Sequence, residues 1–449
     1  MGGYKVLPGS WQIARRGSSV MRLNTITRIC SFLLIGLAVS CLAVAAEAQT
    51  FSVLYTFSYP GPTTPASGVT IDAGGNLYGT TLSYLANSIG AAYRLSQKNG
   101  AWVLSPLVSF NRRNGNTPLA RPIFGPDGRL YGTTEFGGTG CDLGCGNVYS
   151  LYPPTTFCRT VLCYWTVASI YDFGSMPDDG AGPGNGDLLF DAAGNIYGTT
   201  SSNALGSNLY YGTVFELSNS QGVWSETILH QFGPLGGSDG VAPESSLLRD
   251  QEGNLYGTTA EGGTNLSCNY GRGCGIVYQL SPSGSGWSEQ VLYTFQGQND
   301  GDTPIGGLVM DAAGNLYGTT SQDGANGGGT VFELSPSNGA WSLTTLYSFT
   351  KSANDMGDCI GPMGTLVLDS TENLYGTTCG NGAYGYGALF KLTNLNGNWV
   401  YSSLHDFTNG DDGANPIGSP SFDHSGNIYG TASSGGAFKF YGTVWKLTP

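Results

Sequence analysis

The chain has 449 residues, 72 of them glycine, with 11% charged residues and a formal net charge of −13. So much glycine and so little charge point away from helical bundles and toward β structure with many turns. Eighteen Lys and Arg scattered among 31 acids argue against nucleic acid or an anionic lipid surface as partner, because both are held by clustered cations.

Residues 1–48 read as a Sec-type signal peptide, with Met21 as an alternative start. Arg22 and Arg28 precede an apolar run from Ile29 to Ala46, and Ala46-Glu47-Ala48 has the small-x-small form of a cleavage site. The run, about 18 residues, ends at that site, so a permanent membrane span is the weaker reading. Arg15-Arg16 lies too far from it for a twin-arginine signal, and Ala38 stands where a lipobox before Cys41 needs a larger aliphatic residue. Cleavage removes five cations and one anion, taking the formal charge from −13 to −17. The expected location is extracellular, with periplasmic or cell-surface retention as the alternative. Eight cysteines remain in a chain bound for an oxidising compartment, so disulfides are expected. Proximity pairs Cys141 with Cys145, Cys158 with Cys163 and Cys268 with Cys274. Their spacing matches no zinc site.

After the cleavage site comes QTFSVLYTF (49–57), a strand with no partner beside it. Seven copies of one block, six decamers and one nine-residue version, follow: DAGGNLYGTT (72–81), PDGRLYGTT (126–134), DAAGNIYGTT (191–200), DQEGNLYGTT (250–259), DAAGNLYGTT (311–320), DSTENLYGTT (369–378) and DHSGNIYGTA (423–432). Seven copies imply a repeat array rather than one catalytic loop. In the fifth unit, Ile305–Asp311 is read as a first strand and Asn315–Thr320 as a second, joined by a tight Asp-x-x-Gly turn. Leu316, Gly318 and Thr320 face one side and Asn315, Tyr317 and Thr319 the other. The mid-strand glycine suggests that another backbone packs close. A third strand carries its aromatic always fourth, as in GAAYRLS (90–96), GTVFELS (329–335) and GTVWKLT (442–448). A fourth runs from Trp to a Phe eight residues on, as in Trp102/Phe110 and Trp341/Phe349, and that even spacing predicts both on one face.

Only six such fourth strands serve seven units, and residues 49–57 match the missing one, aligning Gln49 with the tryptophans and Phe57 with the phenylalanines. The fold expected is therefore all-β: a seven-bladed β-propeller of four-stranded antiparallel blades, the last blade closed by the N-terminal strand. The blades are expected at about residues 66–110, 119–173, 185–232, 244–295, 305–349, 363–407 and 417–449, with 49–58 closing the seventh.

The GNLYGTT, GTVFEL and W…LYSF blocks resemble the GloVer tandem repeats of bacterial extracellular "choice-of-anchor" proteins, over residues 49–449. That resemblance implies an exported repeat protein without a catalytic assignment. Members often carry a C-terminal sorting segment; here the chain stops at Thr448-Pro449, which argues against surface anchoring.

Lead-in loops before each first strand repeat an Asp-Gly-x-x-Pro theme, with Asp179, Asp239, Asp300 and Asp412 at its first position and Asn114 and Asp358 aligned there. Blade closure would set them around one mouth of the central channel, a candidate face for cations or sugar hydroxyls. Ordinary turn chemistry is the stronger reading. No cofactor is expected, with calcium as the alternative. Cys359 and Cys379 fall on the same face and form a further candidate disulfide, while the segments Cys141–Asn147, Asn203–Tyr211 and Asn265–Gly275 lengthen loops there. Among the three histidines, His230 and His405 replace the tyrosine of LYTF and LYSF, and His424 sits in a turn. No HExxH, GxSxG or phosphate-loop motif occurs. The sequence thus favours a monomeric, non-catalytic extracellular module that binds a glycan or protein; the alternative is a polysaccharide hydrolase or lyase using carboxylates at the mouth.

Overall fold

The computed structural model describes residues 49–449 apart from 85–88, 143, 155–163, 177, 204–210 and 353–358. These residues build seven four-stranded antiparallel sheets, the blades of a β-propeller, supplemented by three two-stranded ribbons. Blade 5 shows the plan: Val309–Met310, Leu316–Thr320, Gly327–Ser337 and Ala340–Thr350 pair in that order. The first strand is shorter than Ile305–Asp311, because Ile305 and Gly307 leave the ladder to line the central channel.

Blade 7 is assembled from both ends of the described chain. Thr50–Thr56 pairs antiparallel with Thr443–Thr448, in a register that sets Phe51 opposite Leu447 and Val53 opposite Trp445. The Phe57 N–H then donates to the Gly442 carbonyl at 3.0 Å. Around the channel the ring is tied by threonine hydroxyls of the second strands, which in five of the seven blades donate to a backbone carbonyl of the next blade. Thr80 reaches Ala120, Thr258 reaches Gly306, Thr377 reaches Gly418, and Thr431 of blade 7 reaches Ser67 of blade 1 at 2.6 Å.

The expectation that Trp and Phe of each fourth strand share a face fails at a β-bulge. In all seven blades the register skips one residue three before the phenylalanine: Leu54, Leu107, Ile170, Leu229, Leu292, Leu346 and Leu404. One skipped residue inverts the alternation. Trp341 therefore packs back against the cluster that holds Tyr256 and Phe295 of blade 4, while Phe349 packs forward against Leu366, Leu374 and Phe390 of blade 6.

Each Phe meets the aromatic of the next blade's third strand, as in Phe57/Tyr93, Phe110/Tyr149, Phe173/Phe215, Phe232/Tyr278, Phe295/Phe332, Phe349/Phe390 and Phe407/Trp445, with ring centroids 4.9 to 5.9 Å apart. That second ring also explains the mid-strand glycine. A Cβ on Gly318 would lie 2.5 Å from the tip of the Phe332 ring, so what approaches is an aromatic side chain and not another backbone. Each seam is thus a core of its own, and burying one Phe side chain contributes about 1.5–3 kcal/mol.

The decamer is a self-contained hinge. In blade 5, Asp311 Oδ1 accepts the N–H groups of Ala313 and Asn315, and Oδ2 accepts from the Asn315 amide and the Tyr317 hydroxyl. The Tyr-to-Asp bond recurs in all seven blades at 2.8 to 3.2 Å. Blade 2 makes it with a shorter turn, Asp127 to Tyr131.

Candidate functional site

The acids of the lead-in loops first do structural work. Each follows the fourth strand of one blade and folds back to cap the residues after its closing Phe. Asp179 accepts the N–H groups of Gly174 and Ser175, Asp239 those of Gly233 and Gly240, Asp300 that of Gln296, and Asp412 that of Thr408. Each also accepts from the residue two before that Phe: Tyr171 for Asp179, His230 for Asp239, Tyr293 for Asp300 and His405 for Asp412. The two histidines therefore replace tyrosine as a hydrogen-bond partner as well as a ring. Asn114 caps its own turn, accepting the Asn111 N–H at 2.7 Å. Asp358 lies outside the described residues. The channel cavity is lined by one segment from each blade, including Ser67, Ala120, Ser246, Gly307 and Thr365, and none of these lead-in acids belongs to its lining.

What differs from seam to seam is the residue facing this Tyr/His position from the next blade, two after its tryptophan. Val167 faces Val108, Leu343 shares a cluster with Tyr293, and Leu104 shares one with Tyr55. Tyr401 stacks on Tyr347 at 4.2 Å and Phe51 on His405 at 3.5 Å. At the other two seams the residue is glutamate. Tyr171 donates to both Asp179 and Glu226, and burial followed by the Asp179 charge pushes the Glu226 carboxyl up to about 8. His230 Nε2 lies 3.3 Å from Asp239 and 3.9 Å from Glu289. Burial and then Asp239 raise Glu289 to about 7. Burial opposes a charged His230, but the bond to Asp239 and the charges of Asp239 and Glu289 outweigh it and raise its pKa.

A third carboxyl pair borders the channel. A cavity of about 20 Å³, room for roughly one water molecule, lies between Glu135 and Glu244 and shares Leu119 and Asn185 with the channel cavity of about 80 Å³. Burial and then Glu244 push Glu135 up to about 7, and Asn185 donates to Glu244 at 2.7 Å. Close by, Arg121 is bonded to Asp187 at 2.5 Å. A roomier recess than the channel cavity lies between blades 7 and 1: a groove of about 530 Å³ lined by Trp102, Gln97, Asn76, Ser52, Tyr429 and Lys446 among others. A smaller one of about 320 Å³, walled by Trp224 and Arg129, lies between blades 2 and 3.

Disulfides join Cys141 to Cys145, Cys268 to Cys274 and Cys359 to Cys379. The expected Cys158–Cys163 pair lies outside the described residues. No helix among those residues is long and apolar enough to cross a membrane.

The repeating blades and their shared seam chemistry find a counterpart among known families: the Gloeobacter/Verrucomicrobia repeat profile matches residues 184–445, more than half of the chain. The chain belongs to the Gloeobacter/Verrucomicrobia repeat family. No curated protein sequence matches it. Solved structures similar in fold include an ulvan lyase of a new polysaccharide lyase family bound to -[GlcA(1-4)Rha3S]-, with TM-score 0.52, 12% identity, and coverage of 87% of this chain and 95% of that one. A putative 6-phosphogluconolactonase from Bacteroides uniformis ATCC 8492 aligns with TM-score 0.46, 13% identity, and coverage of 78% of this chain and 86% of that one. At such identity the likeness is one of fold.

Within this repeat family member, sequence reading passed over Glu226, Glu289, Glu135, Glu244 and the Trp102 groove. The two seam glutamates had a signal, since both stand two after a tryptophan where the other blades carry Leu, Val, Tyr or Phe. The Glu135–Glu244 pair and the groove arise from residues of different blades and had none.

Proposed function

We propose that the protein is an exported binding module that takes a glycan in the groove between blades 7 and 1. The observation that carries this is the groove's make-up: Trp102 lines it together with the polar side chains of Gln97, Ser52 and Lys446, while the Asn76 amide, donating to Asp72, holds the adjoining turn. An apolar plate with a few directional polar groups suits a pyranose, whose C–H face stacks while its hydroxyls bond at the rim. About 530 Å³ falls within the usual range for small-ligand sites. The acidic balance of the chain favours neutral over polyanionic glycans. Export rests on the signal-like residues 1–48 together with three disulfides, bonds that persist in oxidising compartments.

The Glu135–Glu244 pair supports a second reading, a polysaccharide hydrolase or lyase. A carboxyl that titrates near 7 beside another acid is poised for proton transfer. The water-sized cavity between them favours binding over catalysis as the first reading. Affinity electrophoresis against a panel of neutral polysaccharides separates the two. Retardation should occur, should be lost in Trp102→Ala and weakened in the exposed Gln97→Ala, with melting curves checking that both variants fold. No retardation by any neutral polysaccharide would overturn the binding reading. New reducing or unsaturated ends that vanish in Glu135→Gln would put the enzyme reading first.

A further inference from the structure

The seam between blades 3 and 4 holds three metal-ligating side chains whose donor atoms all lie within 4.8 Å of one another: His230, Asp239 and Glu289. We infer that they form a binding site for a divalent transition metal ion of the Zn2+ type, which fastens blade 3 to blade 4. A tetrahedral zinc with bonds of about 2.0–2.2 Å sets its ligand atoms roughly 3.3–3.5 Å apart. His230 Nε2 and Asp239 Oδ2 are at 3.3 Å, and His230 Nε2 and Glu289 Oε2 at 3.9 Å, so small torsions of the Glu289 side chain complete the set. Asp239 is oriented in advance by the N–H groups of Gly233 and Gly240, at 2.6 and 2.7 Å, as ligating carboxylates are.

Two further observations point to a ligand rather than to a structural ion pair. Glu289 Oε1 is buried and has no hydrogen-bond partner, an acceptor left open inside a seam. The seam between blades 6 and 7 supplies an internal control. There His405 pairs with Asp412 at 3.1 Å and the third place is taken by Phe51, stacked on the imidazole at 3.5 Å. A His–Asp couple is therefore enough to hold a seam, and Glu289 adds a half-buried carboxylate beside another acid, a destabilising choice that Leu343 avoids one blade on. The three side chains keep 18 to 21% of their surface exposed, so an ion can reach them and water can complete its coordination. One imidazole with two carboxylates suits zinc-like ions better than Ca2+, which takes six to eight oxygens. The other grouping of this type among the described residues, Cys268 with Asp302 and Asp323, has its sulfur bound in a disulfide and offers no thiolate.

Chelator-stripped, untagged protein titrated with Zn2+ in a calorimeter, with metal analysis after gel filtration, tests this. One Zn2+ per chain should bind and raise the melting temperature. Glu289→Gln should weaken binding about tenfold or more, Glu289→Leu should abolish it, and His405→Phe should leave it unchanged. Glu289→Leu puts at this seam the leucine that Leu343 supplies opposite Tyr293, so its melting temperature without metal should match or exceed that of the parent, which separates loss of a ligand from loss of the fold. Absence of stoichiometric zinc, or binding that survives Glu289→Leu, or an equal loss in His405→Phe, would overturn the site.

Discussion

The turns between first and second strands and the seams between fourth strands answer the same demand, repeated seven times, in opposite ways. At the turns every blade uses one solution, a carboxylate accepting backbone N–H groups and a tyrosine hydroxyl, within a few tenths of an ångström. At the seams only the inner layer is constant, Phe against an aromatic; the outer layer runs through valine pairs, stacked rings and carboxyl pairs. A turn is local, so its geometry is solved within about seven residues and recurs with little change, shortened only in blade 2. A seam joins two blades and is open to water at its rim, so its outer layer can differ without disturbing the ring.

The constant layer is where that comparison can be broken most severely. Phe57 and Phe349 are both buried at seams, but Phe57 ends the strand that closes the circle. Phe→Ala at either site should cost about 3–5 kcal/mol from lost burial and the cavity left behind, measured by urea unfolding. If closure matters beyond local packing, Phe57→Ala should cost at least as much as Phe349→Ala. A markedly smaller cost would mean that blade 7 is not fastened by its first-synthesised strand.

The variable layer should respond with a smaller, pH-dependent effect. Asp179 and Tyr171 face Glu226, whose folded pKa of about 8 is raised by burial and then by Asp179, against about 4.3 for a free Glu. Because the folded chain holds that proton more tightly, the stabilisation is complete below about 4.3 and is lost as pH rises through about 8. Glu226→Leu should therefore be close to neutral at pH 5 and more stable than the parent by about 1–4 kcal/mol at pH 8, as when buried polar pairs give way to packed apolar groups. Urea melts at the two pH values check it, and a variant with the same pH slope as the parent would mean that Glu226 is not the group responsible.

How much of this could be read from letters follows the same division. Blade number, hinge turns and closing strand are periodic, so they stand in the text; QTFSVLYTF matches a fourth strand residue by residue down to Phe57. The bulge at Leu346 is periodic too, yet it leaves no mark, because a skipped ladder residue changes no letter while inverting every side chain beyond it. Even Trp-to-Phe spacing was therefore misleading. Glu226 and Glu289 gain meaning only when Trp+2 is known to face the preceding blade. Glu135 meets Glu244 through loops of blade 2 and blade 4, a proximity that no spacing encodes.

The smallest expected effect tests the uniformity of the turns. Burial alone would raise the carboxyls of Asp311 and Asp423, but bonds from Asn315 and Tyr317 in one, and from Asn427, Ser425 and Tyr429 in the other, outweigh it and lower them. A lowered carboxylate contributes stability above its unfolded value of about 3.9 that is lost as pH falls through its folded one. Tyr317→Phe and Tyr429→Phe each remove one donor, so each should cost about 0.5–1.5 kcal/mol at pH 7 and move the acid-unfolding midpoint upward. Since the Tyr-to-Asp bonds are 2.9 and 3.0 Å long in turns of the same design, the two losses should agree closely. A clear difference between them would show that the surrounding seam, Trp399 lying against Tyr317, sets the strength of the turn, and the division between local turn and shared seam would then have to be redrawn.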